Sequence, residues 1–236
     1  MLALAGFAAF ALLPAVSVAH PGSHAPKHKY GRGTSTNWSG YDVTGSGATH
    51  VIGTWTQPAP TCAAGENSWS SPWVGIDGDT SGTVEQIGTD TDCSNGSASY
   101  YAWYEMYPKS LVTIPIPMTV DSGDSFTGEV TYTAGAYELR LTNNSTGASF
   151  QTTQTSKKAK RSSVEWIMEG PSRGLLTNFG TAPFSAASAT INSHTGSLGS
   201  FTNAQPITMV TRAGATRAAP SAVSGGTAFS VNWLQG

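Results

Sequence analysis

Charged side chains are scarce in this sequence, since Asp, Glu, Lys and Arg together make up 11% of its 236 residues. Downstream of residue 34 the chain has nine basic residues against 14 acidic ones, a formal charge of −5. Proteins that bind nucleic acids carry basic patches, so this balance excludes nucleic acid as a partner. Gly, Ser and Thr are abundant instead, and a surface of hydroxyl and amide groups changes little when carboxylates become protonated.

Cysteine is almost absent, because the chain has only Cys62 and Cys93. His50 and His194 are the only histidines downstream of residue 36, so a zinc site is disfavoured and we expect no metal. In an exported protein the two cysteines are expected to form one disulfide. It would close a loop of about 30 residues and contribute roughly 3 to 4 kcal/mol of stability. That loop contains the segment WVGIDGD and Gln86.

Long apolar runs are missing apart from the first 19 residues, which are small and apolar. These residues lack the basic opening of most signal peptides. Ser17-Val18-Ala19 nevertheless fits the small-residue cleavage rule, whereas a membrane span needs about 20 apolar residues. Residues 1–19 are therefore predicted to be a secretory signal peptide, which makes the protein secreted, with no membrane contact after cleavage.

Residues 20–36 combine Gly and Pro with basic side chains and cannot bury a core. The side chains in question are His20, His24, Lys27, His28, Lys29 and Arg32. This composition predicts a short basic pro-segment or a linker. Residues 37–236 are then long enough for one domain with a sizeable core.

Long helical patterning is absent too, and alternation of apolar and polar residues dominates the domain. A hairpin series is predicted from a strictly alternating stretch at 112–120, a strand over 126–132, a turn at Ala134-Gly135 and a returning strand over 137–141. Further strands are predicted at 50–57, 72–77, 99–107, 163–169, 179–190, 206–212 and 227–234. So many short strands predict an all-β fold, a β-sandwich.

Three functional motifs are incomplete or lack the structural context that their chemistry requires. The stretch Gly170-Pro171-Ser172-Arg173-Gly174 matches G-x-S-x-G, but no helix pattern follows it and no histidine stands in a suitable context. A calcium loop starting at Asp77 would require Glu at its twelfth position, where Gly88 stands. An aspartic protease needs two D-T-G-type halves, and only residues 79–82 resemble one. A tight turn after Asp77 is the preferred interpretation.

Carboxylates within aromatic strands are the remaining candidates. Alternation along 101–107 places Glu105 on the face opposite to Tyr104, and along 163–169 it places Glu165 opposite to the flanking aromatic residue. The residues alone leave open whether these acids are paired structural groups or catalytic ones.

From about Asn37 to its C-terminus the chain resembles the glutamic peptidases, the eqolisin family of secreted acid proteases. The matching segments, in family order, are Asn37-Trp38-Ser39-Gly40, WVGIDGDT at 73–80, VEQIGTD at 84–90, YAWYEMYP at 101–108, VEWIMEG at 164–170 and NFGTAPF at 178–184. The resemblance implies a sandwich of two long antiparallel sheets, concanavalin-like or jelly-roll in type, with a substrate groove on one face.

The same resemblance implies a catalytic dyad at Glu165 and Gln86 and polypeptide substrates. The carboxylate would activate a water molecule, and the amide would stabilise the oxyanion of the attacked peptide bond without a cofactor. A monomer is the default expectation. The substrate-binding or supporting positions carried over from the family are Trp73, Asp77, Gly78, Tyr104 and Glu105.

The rival hypothesis is a carbohydrate-binding or glycoside-hydrolysing β-sandwich that uses Glu105 and Glu165 as paired carboxylates beside aromatic platforms. Secretion, aromatic residues and sandwich architecture suit both classes. Gln86 discriminates between them, because a glycosidase would not need it.

Overall fold

A computed structural model of the chain describes residues 24–171 and 173–236. The predicted signal peptide of residues 1–19 lies outside this part, as does Ser172 of the G-x-S-x-G match. The described residues contain strands and one short 3-10 turn but no α-helix, and none of their helical structure is long and apolar enough to cross a bilayer.

The elements in chain order are β1 Lys29–Gly31, β2 Thr34–Ser35, β3 Trp38–Thr44, β4 His50–Thr56, β5 Ser71–Ile76, β6 Val84–Ser94, β7 Ser97–Tyr107, β8 Val112–Thr113, β9 Ser125–Thr133, β10 Ala136–Asn143, β11 Ser149–Gln154, β12 Ser163–Glu169, β13 Thr181–Ile191, β14 His194–Ser197, the 3-10 turn Leu198–Ser200, β15 Ala204–Val210, β16 Thr216–Pro220 and β17 Phe229–Trp233.

The strands form two antiparallel sheets, which confirms the predicted β-sandwich. The first, called the groove sheet below, has the order β8-β7-β6-β5-β12-β3-β15. The second, called the outer sheet, has the order β11-β10-β9-β4-β13-β17-β16-β15. β15 belongs to both, because residues 204–207 pair with β3 and residues 209–210 pair with β16. This shared strand joins the two layers along one edge.

The main core lies between the sheets and is filled by large side chains from alternate strand positions. Trp55 of the outer sheet and Trp166 and Val74 of the groove sheet are all buried. The Trp166 indole N–H donates to the carbonyl of Ile52 at 2.7 Å, so its one polar atom is satisfied inside the core. A Cβ atom at Gly53 would lie 2.6 Å from the Trp166 ring, so glycine in the facing strand makes room for the indole.

A second, smaller apolar cluster lies on the other face of the groove sheet. Its members are Trp38, Trp73, Val84, Trp103, Ile167 and Ile207. These side chains form a rigid aromatic floor, and the charged residues described below stand beside it.

The predicted hairpin around Ala134 and Gly135 is confirmed, since β9 pairs with β10 in continuous register across these two residues. Both have positive φ, 51° and 92°, as a tight two-residue hairpin turn requires. The strand predicted over 112–120 is wrong beyond its first two residues. Pro115 and Pro117 have no N–H to donate to a ladder, and Ile116 is 86% exposed.

The disulfide between Cys62 and Cys93 is present as predicted. It ties the loop after β4 to the end of β6, and the chain that it closes carries β5 and the residues of β6 that face the groove. The crosslink therefore constrains two central strands of the groove sheet.

Replacing both cysteines with serine should lower the free energy of unfolding by roughly 3 to 4 kcal/mol, because a loop of this length gains entropy in the unfolded chain. Urea unfolding followed by tryptophan fluorescence measures the change. The wild-type protein in excess reductant is the matched control and should unfold at the same urea concentration as the double variant. Equal midpoints for oxidised and reduced wild type would contradict the expectation.

Candidate active site

One row of paired residues crosses the groove sheet at its centre. Glu165 of β12 pairs with Gly75 of β5, and Gly75 pairs with Gln86 of β6. Directly paired residues point to the same face, so the carboxyl and the amide stand on either side of a residue that has no side chain. Their α-carbons lie two strand spacings apart, about 10 Å. A Cβ at Gly75 would come within 3.1 Å of the Gln86 Cβ, so only glycine leaves the backbone between them open.

Gln86 is fully buried, and both hydrogens of its amide nitrogen are directed by neighbours. Nε2 donates to Glu105 Oε2 at 2.9 Å and to the backbone carbonyl of His24 at 3.3 Å. The His24 carbonyl can only accept, so it fixes which end of the amide is the donor. The second N–H is therefore held ready for a peptide carbonyl.

Glu165 is also fully buried, and neither of its carboxyl oxygens has a hydrogen-bond partner in the part of the chain that the structure describes. Burial raises the pKa of Glu165 well above 4.5. The neighbouring Ser163 hydroxyl opposes this shift to a smaller extent, and the negative charges of Asp42 and Asp77 add to it. A buried carboxyl group with no structural partner is costly, and such groups concentrate at functional sites.

The N-terminal strap, defined here as residues 24–28, lies across this row. His24 contacts Gln86 through its carbonyl, and the backbone N–H of Lys27 donates to the Gly78 carbonyl at 3.0 Å. The Lys27 ammonium also reaches Asp42, and in the sheet register Glu165 lies between Gln86 and Asp42. The strap thus occupies the groove as a bound peptide would, and it lies within the region predicted to be a basic pro-segment.

Both ends of the strap carry a cation against carboxylates. The Lys27 ammonium lies 2.7 Å from Asp42 and 2.8 Å from Asp79, with only 5% of its side chain exposed. Burial disfavours the charge, but Asp42 and Asp79 outweigh that effect and raise the pKa of Lys27. At the other end, burial opposes the charge of His24 and the carboxylates of β6 and β12 raise its pKa well above 6.5.

Two of the predicted substrate-binding residues contact the groove floor or the strap. Trp73 is buried in the floor, where its indole N–H donates to Glu169 at 3.0 Å. Gly78 presents its carbonyl to the strap backbone. Its φ is 117°, and a Cβ there would lie 2.7 Å from the Trp38 ring, so only glycine fits this turn.

Asp77 contacts the loop before β12 and has a supporting position, one of the two roles expected for it. Its carboxylate accepts backbone N–H bonds from Lys160, Arg161 and Ser162 at 2.7 to 2.9 Å. These bonds fix the loop that leads into β12, so Asp77 positions the strand of Glu165 and has no oxygen left for a substrate. Burial and the negative charge of Asp77 also raise the pKa of Glu85 to about 8.

Glu105 and Tyr104 lie on opposite faces of β7. Glu105 faces the groove and holds Gln86. Tyr104 points to the other side and stacks on Phe150 with ring centroids 5.7 Å apart. The structure therefore does not bring Tyr104 to the groove, and the alternation along β7 is the physical reason.

Several acidic residues that face the strap were not predicted from the sequence. They are Asp42, Asp79, Asp90, Asp92 and Glu169. The alternation in the segment from Val84 to Asp92 would have placed Asp90 and Asp92 on the face of Gln86, had that polar stretch been recognised as a strand.

The sequence matches known proteins along most of its length. Residues 36–233 match the peptidase A4 family. Over 183 residues the chain is 32% identical to aspergillopepsin-2 from Aspergillus niger, a match that covers 66% of this chain and 64% of that protein. Over 139 residues it is 32% identical to scytalidopepsin B from Scytalidium lignicola, with 57% and 51% covered. The chain thus spans between about half and two thirds of the length of these relatives.

The fold matches as well. A crystal structure of scytalido-glutamic peptidase with a transition state analog inhibitor superposes with a TM-score of 0.71 and 26% sequence identity, covering 84% of this chain and 98% of that one. These findings confirm the resemblance to the glutamic peptidases that the sequence segments carry. By the match over residues 36–233, the chain belongs to the peptidase A4 family.

Proposed function

We propose that this protein is a secreted acid endopeptidase of the glutamic type, in which Glu165 and Gln86 cleave peptide bonds. The observation that carries the proposal is the central row of the groove sheet, where a partnerless buried carboxyl and an oriented amide donor flank a glycine. A backbone carbonyl of the chain itself rests on that amide, at the place where a substrate carbonyl would be attacked.

The proposed reaction needs no group beyond these side chains and water. The raised pKa leaves only a fraction of Glu165 ionised in acid, and in that fraction the carboxylate takes a proton from a water molecule as the water attacks the peptide carbonyl. The second N–H of Gln86 then donates to the oxyanion that develops on the carbonyl oxygen. Protonated Glu165 returns the proton to the leaving nitrogen, and the C–N bond breaks.

Gln86 and its hydrogen-bond acceptor Glu105 both keep their charge state in acid. An amide does not titrate, and burial raises the pKa of Glu105 to about 8, with a further contribution from the charge of Glu169. Because a carboxyl with a raised pKa is neutral below that value, the contact between Glu105 and Gln86 keeps its charge state from neutral pH downward. The oxyanion donor is therefore unaffected by acidification.

The carbohydrate hypothesis requires Glu105 and Glu165 to act as a pair. Gln86 stands between them in the register, and Glu105 already accepts a hydrogen bond from its amide. Family membership also favours a peptidase, so we retain this function alone.

Outside the groove, we assign residues 1–19 to a signal peptide and residues 20–36 to a pro-segment. The disulfide supports export, because such crosslinks persist in oxidising compartments. Residues 37–236 form the catalytic domain, and it acts on polypeptides as a monomer.

Substitutions in the dyad should abolish or sharply reduce hydrolysis. Gln86→Ala is expected to lower kcat by about 10²- to 10³-fold through loss of the oxyanion donor, and Glu165→Gln to lower it further through loss of the base. The measurement is hydrolysis of denatured casein between about pH 2 and pH 7.

Glu138→Gln and Gln151→Ala, both on the outer sheet, serve as matched controls and should behave as wild type. Tryptophan fluorescence checks that all four variants fold. If a folded Glu165→Gln protein retained wild-type hydrolysis, the proposed mechanism would be refuted.

Substitutions of Glu105 should separate charge from hydrogen bonding. Glu105→Gln keeps a neutral acceptor for Gln86, so we expect activity in acid to stay within about threefold of wild type. Glu105→Ala removes the acceptor and should lower kcat by about tenfold, because a misplaced donor stabilises the oxyanion less. Steady-state kinetics with one peptide tests both; equal losses in the two variants would contradict a positioning role.

The strap is proposed to inhibit the enzyme near neutral pH. The pKa values of His24 and Lys27 are raised, so neither cation loses its charge as the pH falls from neutral, and only the carboxylates titrate. Burial raises the pKa of Asp42 above 3.8 despite the charge of Lys27. The pair between Lys27 and Asp42 is therefore lost as the pH falls through a value above that of an ordinary aspartate.

Lys27→Gln should accordingly move the onset of casein hydrolysis in the full chain to a higher pH, by about one unit. Stepwise acidification with activity measured at each step gives the onset. Lys109→Gln, at an exposed position outside the groove, is the control and should leave it unchanged. An onset that stays the same in the Lys27 variant would rule out the ion pair as the restraint.

A further inference from the structure

The His24 side chain fills a pocket that the proposed mechanism does not use. Its imidazole stacks on the Trp103 indole with ring centroids 4.1 Å apart and planes inclined by 21°. An indole face attracts a flat cation through dispersion and through its π electrons. The floor of this pocket therefore suits a planar, positively charged ring.

Carboxylates stand at both edges of that ring. His24 Nε2 lies 3.2 Å from Asp90 Oδ1, and Nδ1 lies 3.6 Å from Glu169 Oε2. A neutral imidazole has one N–H and one bare nitrogen, whereas the protonated ring has a donor at each nitrogen. Two flanking carboxylates thus match the imidazolium and leave a neutral ring with a repelled lone pair.

Both carboxylates are held by residues of the domain itself. The Tyr101 hydroxyl donates to Asp90 Oδ2, the atom that does not face the ring. Glu169 accepts from the Trp73 indole at 3.0 Å and from the Asn37 amide at 3.1 Å. Because these contacts exist independently of the strap, the pocket is built into the sandwich and is available to any peptide.

The pocket has a defined place relative to the dyad. The carbonyl that rests on Gln86 belongs to His24, the same residue whose ring fills the pocket. The next backbone N–H, that of Ala25, donates to Glu169 at 3.0 Å. The peptide bond presented to Glu165 and Gln86 is therefore the one between His24 and Ala25.

We propose that the Trp103, Asp90 and Glu169 pocket selects a protonated histidine on the carbonyl side of the cleaved bond, and that the His24–Ala25 bond is the chain's own cleavage site. This inference rests on the proposed peptidase function. In the self-cleavage, water adds to the His24 carbonyl carbon, the bond to the Ala25 nitrogen breaks, and that nitrogen takes the proton from Glu165. The products are a carboxylate at His24 and an amine at Ala25.

Two matched peptides test the selectivity. One has the sequence of residues 21–28, and the other carries His24→Phe, which keeps a flat ring and removes the charge. At about pH 4.5, where a free imidazole is charged and many carboxylates are ionised, the histidine peptide should have a kcat/KM about tenfold higher. In the Asp90→Asn enzyme this ratio should fall towards one, whereas in the Glu138→Gln enzyme it should match wild type.

The pH dependence of the ratio gives a second readout. Among the residues that the structure describes, the groups that face the imidazole are Asp90 and Asp92 of β6, Tyr101 and Glu105 of β7 and Glu169 of β12. As the pH falls from about 4.5 to 2, a free imidazole stays charged, whereas carboxylates of ordinary pKa lose their charge. The preference for histidine should therefore shrink in strong acid, which a purely steric pocket would not produce.

Mass spectrometry of the acid-treated full chain tests the cleavage site. We expect a new amino terminus at Ala25 in wild type and an intact chain in Glu165→Gln. A protein that hydrolyses casein but shows a ratio at or below one, or a new terminus elsewhere, would overturn this inference and leave the peptidase function standing. A folded protein without casein hydrolysis would instead refute the peptidase function itself.

Discussion

The antiparallel register between β12, β5 and β6 determines what the groove can do. A shift by one residue would turn Glu165 and Gln86 into the core and bring Trp166 and Ile87 to the groove. The register is secured from both sides, because the alternate positions carry large apolar side chains that are fully buried between the sheets. The placement of the polar pair is therefore enforced by hydrophobic packing on the opposite face.

A concentration of acidic groups is the second constraint. Several carboxyl groups stand over an aromatic floor, and burial opposes their ionisation, as the pKa of about 9 for Asp92 beside Asp90 illustrates. The strap places one cation against these carboxyl groups at each end of the row, His24 at one end and Lys27 at the other. Charge complementarity thus explains why a short basic segment lies in register with an acidic groove.

The sequence allowed much of this architecture to be predicted. The fold class, the hairpin of β9 and β10, the disulfide and the opposite faces of Glu105 and Tyr104 all follow from patterning or composition. β6 was not predicted as a strand, because its Thr, Asp and Gln residues interrupt the apolar pattern that a buried strand normally shows. The reverse error at 112–120 arose because alternation was given more weight than two prolines.

The groove acids escaped prediction for a different reason. Asp42, Asp90 and Glu169 come from separate strands, and their convergence depends on strand order, which local patterning does not encode. The docking of the strap likewise depends on contacts between segments more than 60 residues apart, such as that of His24 with Gln86. Gln86 was identified as a functional residue only through the resemblance to a family.

The strap is continuous with β1, which pairs with β2, and β2 in turn pairs with β15. A cut between His24 and Ala25 would leave residues 25–28 anchored to the domain a few residues away. Such a tethered peptide has an effective local concentration in the range of about millimolar. The remnant would then act as an intramolecular competitor that every incoming substrate has to displace, and its length would tune the apparent KM.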